Sequence, residues 1–189
     1  LGRKEKMLDK SKVKTRLDID NTDRDSLIDT LITDAYNYIQ SYLDVKIESD
    51  DTITEVRYRK ANQRYLYTSL PIKTLSSIKD EDGDEHLSDI SYTDTHIDFY
   101  SDDNIDISIP YDLDEEYTLK YSVRDWITAE LERISFTFVS FRLKEILRDS
   151  FFYESKTAVE VTNKFITEQN LFAWIERELA RITNIKGIF

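Results

Sequence analysis

The chain has 189 residues, a formal net charge of −12, 40% hydrophobic and 34% charged residues, and no cysteine. That suits one ordinary domain with a well-solvated surface, and it excludes disulfides and every thiolate site. No apolar run approaches the roughly 18–20 residues that span a bilayer, and the basic N-terminus lacks the apolar stretch of a signal peptide, so a soluble protein made in the cytoplasm is expected.

The charge is uneven. Residues 1–16 hold seven Lys/Arg against Glu5 and Asp9, which leaves about −17 for the rest. This basic arm reads as a solvated tail, with phosphate or an acidic partner as the alternative. The acidic body repels nucleic acid, whose phosphates need Lys/Arg to neutralise them. Gly2, Gly83 and Gly187 are the only glycines, too far apart to build a phosphate-cradling loop.

Thr22 and Asp25 have the spacing of an N-cap and its acidic partner, which predicts a helix from about Asp23 to about Leu43. Leu27, Ile28, Leu31, Ile32, Ala35, Tyr38, Ile39, Tyr42 and Leu43 form a broad stripe on one face of it. Such a helix needs a packing partner, because ordering its backbone opposes the gain from burial.

Residues 53–121 alternate instead. Val56 with Tyr58, Tyr65 with Tyr67, Leu70 with Ile72, Ile97 with Phe99, Ile105-Ile107-Ile109 and Tyr117-Leu119-Tyr121 predict five to seven short strands. Turn signals at Asp82-Gly83 and Ser101–Asn104 separate them, and one hairpin-linked sheet folded on itself is expected. Ser122, with Asp125, is the predicted cap of a second helix to about Asp149. That helix is apolar nearly all round, from Trp126 and Ile127 through Phe136, Phe138 and Phe141 to Leu147. It is expected to be buried on most faces, either as the central helix of the domain or against both its own sheet and a neighbouring subunit. Residues 156–166 fit strand or helix equally. A last helix over about Glu168–Thr183 puts Leu171, Trp174, Ile175, Leu179 and Ile182 on one face, before an apolar end at Ile185–Phe189. The predicted fold is therefore α+β: an N-terminal amphipathic helix, a central antiparallel β-hairpin region, and two C-terminal helices with an extended tail. Its divisions are residues 1–16, 17–150 and 151–189.

Chemistry is sparse. Lys79–His86 reads KDEDGDEH, but no register puts Gly83 sixth behind a leading carboxylate, as a calcium loop requires; a hairpin tip is expected. His86 and His96 are the only histidines, and solvated strand positions are the simpler reading. Asp102/Asp103 and Glu130/Glu132 are pairs expected by chance among 38 acids. Ser135 and Ser140 have no histidine at a telling spacing. No catalytic residue, metal site or cofactor is expected, and the chain reads as a non-enzyme. Tyr58, Tyr65 and Tyr67 interleave with Arg57, Arg59, Lys60 and Arg64, which fits a single-strand stacking platform, a plain sheet surface, or a subunit interface. Those tyrosines, with Phe136 and Phe141, are the candidate subunit-interface residues.

The N-terminal unit VKTRLDIDNTDRDSLIDTLITDAYNYIQSYL resembles the opening of tailed-phage head–tail connector (adaptor) proteins: Val13, Leu17, Ile19, Asp20, acids at Asp23 and Asp25, then Leu27-Ile28, Ala35 and Tyr38-Ile39. LPIKTLSSIKDEDGDEHL at 70–87 and DWITAELERI at 125–134 resemble their strands, Asp-Gly hairpin and next helix. The glycine usual after the first helix is replaced by Asp44. The resemblance implies a virion protein of the phage neck, assembled in the host cytoplasm. It implies a ring, usually dodecameric, under the portal protein, with double-stranded DNA passing through its lumen without specific binding and no membrane contact. The ring offers a platform to the next neck or tail-terminator protein. It further implies portal contact through the C-terminal segment, here Phe172, Trp174, Ile185, Ile188 and Phe189. A stopper-type tail-completion protein is the near alternative; an acidic protein-binding regulator is the one from another class.

Overall fold

The computed structural model describes residues 8–48, 51–88, 90–99, 114–151 and 168–183. The predicted segment Ile105–Ile109, the turn at 101–104, the ambiguous stretch 156–166, and Ile185, Ile188 and Phe189 lie outside them.

Residues 8–17 are not a solvated tail. Helix α1 spans Lys10–Leu17. The Asp9 carboxylate accepts the Lys12 N–H at 2.8 Å and caps it. Leu8 and Val13 are fully buried, and the Leu8 N–H donates to the Tyr36 hydroxyl at 2.7 Å. Four cations of α1 reach across to other elements: Lys10 and Lys14 to Asp25, Lys10 also to Asp29, and Lys12 and Arg16 to Glu132.

Helix α2 runs Asp25–Leu43 and buries Ile28, Leu31, Ile32, Ala35, Ile39 and Leu43. The predicted stripe is the packed face except at Tyr42, which is 42% exposed, and Thr22 does not cap the helix. Arg24 occupies the N-cap position without a side-chain bond, and Thr22 gives only its carbonyl, to the Asp25 N–H at 3.1 Å. The Asp25 carboxylate goes to lysines of α1 instead of back to the helix start. At the other end Asp44 takes the left-handed conformation (φ 53) that stops the helix. The usual glycine is thus replaced by an aspartate that holds the same backbone geometry.

Among the described residues seven strands follow: β1 (Lys46–Ile47), β2 (Thr52–Arg59), β3 (Tyr65–Tyr67), β4 (Ile72–Lys79), β5 (Ser91–Tyr92), β6 (His96–Asp98) and β7 (Glu115–Val123). They form two sheets, not one: an antiparallel sheet ordered β1-β2-β7-β4, and a small one ordered β3-β6-β5. The break falls after Arg59. A tight turn there carries Asn62 at φ 63, and the Gln63 N–H closes on the Lys60 carbonyl at 3.0 Å. The chain leaves β2 and pairs Tyr65 with Asp98 and Tyr67 with His96 instead.

Helix α3 covers Asp125–Phe151. Ser122, the predicted cap, sits inside β7, and the helix starts on the Arg124 carbonyl. Ile127, Leu131, Ile134, Phe138, Val139 and Leu143 are buried, so α3 is the central helix, touching α1, α2 and helix α4 (Glu168–Ile182). α4 docks through Leu171, Ile175, Leu179 and Ile182, all buried. The fold is the expected α+β arrangement, with helices and sheet sharing one core.

Candidate interaction surfaces

β2 is built inside out. Its inward positions carry Glu55 and Arg59, at 2% and 1% exposure, with Arg57 beside them; its outward positions carry Val56 and Tyr58, at 47% and 58%. Alternation fixes which residues share a face but not which face is wet. Here the charged set is inside because each member finds a partner. The Glu55 carboxylate accepts the Ser69 N–H at 3.1 Å and an Arg57 N–H at 3.1 Å. Arg57 also bonds the Ser69 hydroxyl, which donates to the Leu43 carbonyl at 2.9 Å and so ties the end of α2 to the sheet. Burial pushes the Glu55 carboxyl up, opposed by Arg57 and Ser69. The Tyr121 hydroxyl beside it is pushed up by the same burial.

Arg59 closes the junction between the two sheets. Its guanidinium lies 4.8 Å from the Phe99 ring centre and 5.8 Å from that of Tyr117, and it pairs with Glu115 at 3.5 Å. The Tyr117 hydroxyl donates to the same carboxylate, and burial holds that phenol well above its ordinary range. Arg64 is bidentate to Asp98 at 2.8–3.1 Å. The cations that were to flank stacked bases are thus engaged internally, except exposed Lys60. A nucleic-acid platform on this ladder loses its electrostatic basis.

The predicted interface residues do not gather at one place. Tyr65 and Tyr67 share the face of the second sheet opposite buried Leu66, and both rings meet His96, at 4.6 and 5.7 Å. Tyr58 lies on the first sheet and makes no ring contact with them. Phe136 and Phe141 are half-buried against the protein's own core, Phe136 beneath the Arg16 guanidinium. Of the predicted portal-contact residues, Phe172 packs on Tyr38 and Phe138, and Trp174 lies under Arg133, which also pairs with Glu178 at 2.8 Å. Tyr38 donates to Glu176 at 3.0 Å, and burial with that bond pushes its hydroxyl up to about 12. Sequence reasoning passed over Val56, Trp126 and Ile146, which are about half exposed. For Val56 the signal was present, since it alternates with Tyr58.

The other candidates resolve into local structure. Lys79 and Glu85 bridge across a tight turn whose Gly83 has φ 88. The Asp80 carboxylate there takes His86 at 2.7 Å and the Asp84 N–H at 2.9 Å. His86 holds it below the ordinary carboxylate range. Glu130 pairs with Arg133, and Glu132 with α1. Ser135 and Ser140 donate to carbonyls of their own helix. No group of three or more His, Asp or Glu able to hold a metal occurs among the described residues. No helix among them is long and apolar enough to cross a membrane.

Part of the fold's charge is locked in its interior, while Val56, Tyr58 and Trp126 stand on its surface. The chain belongs to the head completion protein family, whose model matches residues 6–179. No curated protein matches it. Membership makes it a structural, connector-type component of the bacteriophage head–tail junction, with head and tail components as its partners.

Proposed function

We propose that the chain forms the adaptor ring between the portal and the tail or neck. The ring is a dodecamer, extends the DNA channel, and gives the next neck or tail protein its platform. Its part is mechanical, not catalytic. The observation that carries this reading is the inverted strand β2, whose charge is turned inward while Val56 and Tyr58 stand in solvent. A large apolar group on an otherwise polar face is expected where another surface covers it. Tyr58, Tyr65, Tyr67, Phe136 and Phe141 serve subunit contacts in this reading. Residues 151–189 serve the portal, through Phe172, Trp174, Ile185, Ile188 and Phe189. DNA slides past without specific binding, because the body beyond residue 16 carries about −17.

Sedimentation velocity and electron microscopy of the chain, alone and mixed with the portal protein of the same phage, test this. A ring of copies seated on the portal is expected. No association with the portal overturns the adaptor reading. Association with a tail component alone would place the chain one level down, as a stopper-type neck protein.

A further inference from the structure

The basic N-terminal segment is a charged motif that the adaptor reading leaves without a role. Its described part, helix α1, has three sides. Val13 lies inward and is fully buried, with Leu8 before it. Lys10 and Lys14, four residues apart, share one flank; Lys12 and Arg16, also four apart, share the other. Ser11 and Thr15 form the outer ridge, and both are exposed. The two flanks end on carboxylates of different helices. Lys14 reaches Asp25 at 2.8 Å, and Lys10 reaches Asp25 and Asp29 of α2 at 3.3 and 3.0 Å. Lys12 reaches Glu132 of α3 at 2.9 Å, and Arg16 bonds the same carboxylate. Asp9 adds a further carboxylate at the helix start, where it caps the Lys12 N–H. Lys14, and then Lys10, hold the Asp25 carboxyl below its ordinary range.

Four cations in eight residues, beside a ridge of hydroxyls, are what a helix needs to hold a phosphate backbone. Here each cation is turned back onto a carboxylate of its own chain. Stability alone does not call for this, since Leu8 and Val13 seat the helix and solvated ion pairs add little. We infer that Asp25, Asp29 and Glu132 form an autoinhibitory contact: they stand in for phosphates and keep α1 from gripping duplex DNA. A polyanion must displace all three before it gains from counterion release, and must do so against an acidic body. This inference rests on the adaptor reading, in which duplex DNA is the polyanion that runs past every subunit. It adds how a chain with a basic helix can flank such a conduit without holding what passes: the helix is neutralised within the subunit.

Filter retention of a short labelled duplex by the full chain, over a series of salt concentrations, tests it. The natural chain should retain none at physiological salt. Asp25→Asn with Asp29→Asn and Glu132→Gln should bind at least about tenfold more tightly, and log K should fall against log salt with a slope of about −3 to −4, as four freed cations require. Glu132→Gln alone frees only Lys12 and Arg16 and should give about half that slope, which keeps the test decisive if the triple variant does not fold. Adding Lys12→Gln and Arg16→Gln to it should abolish the gain. Glu81→Gln with Asp82→Asn and Asp84→Asn removes the same three negative charges at the exposed turn around Gly83 and should gain nothing. Folded acid-to-amide variants that bind no better than the natural chain would overturn the inference, as would tight binding by the natural chain or an equal gain in the turn variant. Binding of the triple variant to phosphatidylserine vesicles but not to the duplex would overturn it in favour of a lipid surface. Seating on the portal is read separately by sedimentation: its failure in the natural chain overturns the adaptor reading, while duplex retention still decides whether the acids mask α1.

Discussion

The sheet junction and helix α1 hold the molecule together with the same chemical groups in opposite settings. At the junction, Glu55 and Arg59 are almost wholly buried and their partners are fixed by geometry. Along α1, Lys12 and Arg16 reach Glu132 from side chains 42% and 44% exposed. Removing water from a charge makes its partner indispensable, whereas a solvated charge has water to fall back on. The junction therefore acts as a lock on sheet geometry, and α1 as a helix seated by Leu8 and Val13 and only trimmed by its ion pairs.

That contrast is broken most directly at Arg59. Arg59→Ala takes the cation from the Glu115 carboxylate, leaving it the Tyr117 hydroxyl, and opens a gap between Phe99 and Tyr117; a loss of about 3–5 kcal/mol is expected in urea denaturation. A loss under about 1 kcal/mol would mean that the junction behaves like a surface. Glu55 sharpens the comparison through pH. Its carboxyl is raised by burial in the folded protein, so the fold holds that proton more tightly than the unfolded chain does. This contribution is fully present below the ordinary value of 4.5 and is lost as the pH climbs through the raised folded value. Glu55→Gln removes it, so the natural protein should lose stability relative to the variant as pH rises from 4.5. Parallel denaturation midpoints across that range would contradict the assignment.

At the solvated end, Glu132→Gln releases both α1 cations yet should cost no more than about 1 kcal/mol. The difference should largely vanish near 1 M salt, where screening is nearly complete. The smallest effect has the opposite sign. Asp44 sits at φ 53 with its side chain exposed, so Asp44→Gly should stabilise by about 0.5 kcal/mol, seen as a small rise in thermal midpoint.

What the sequence revealed and what it concealed follow the same division. α2 and α4 were legible because their buried faces are apolar and recur at helical spacing. α1 was not: in KSKVKTRL only Val13 and Leu17 are apolar, and the acids that hold its cations lie 11 to 120 residues away. β2 was legible as a strand but not in its orientation. Val56 and Tyr58 look like core residues until Glu55 meets Ser69, 14 residues on, and Arg59 meets Glu115, 56 residues on. Such pairings exist only in three dimensions. Ser122 misled for a related reason: as a helix cap its spacing to Asp125 is sound, but continued alternation through Val123 kept it in the strand. Of the candidate docking surface, the tyrosines were visible as a group. Their split between two sheets was not, because Asn62 is a modest turn signal beside a Gly-containing one.

Strand β7 has a consequence for biosynthesis. It lies between β2 and β4 and pairs with both, yet it spans Glu115–Val123 and is translated well after either neighbour. A nascent chain that has not yet emerged from the ribosome through Val123 has two unmated edges and no floor for its helices. The sheet forms only when its keystone arrives, so products cut short before Val123 leave the edges of β2 and β4 unpaired and prone to aggregate.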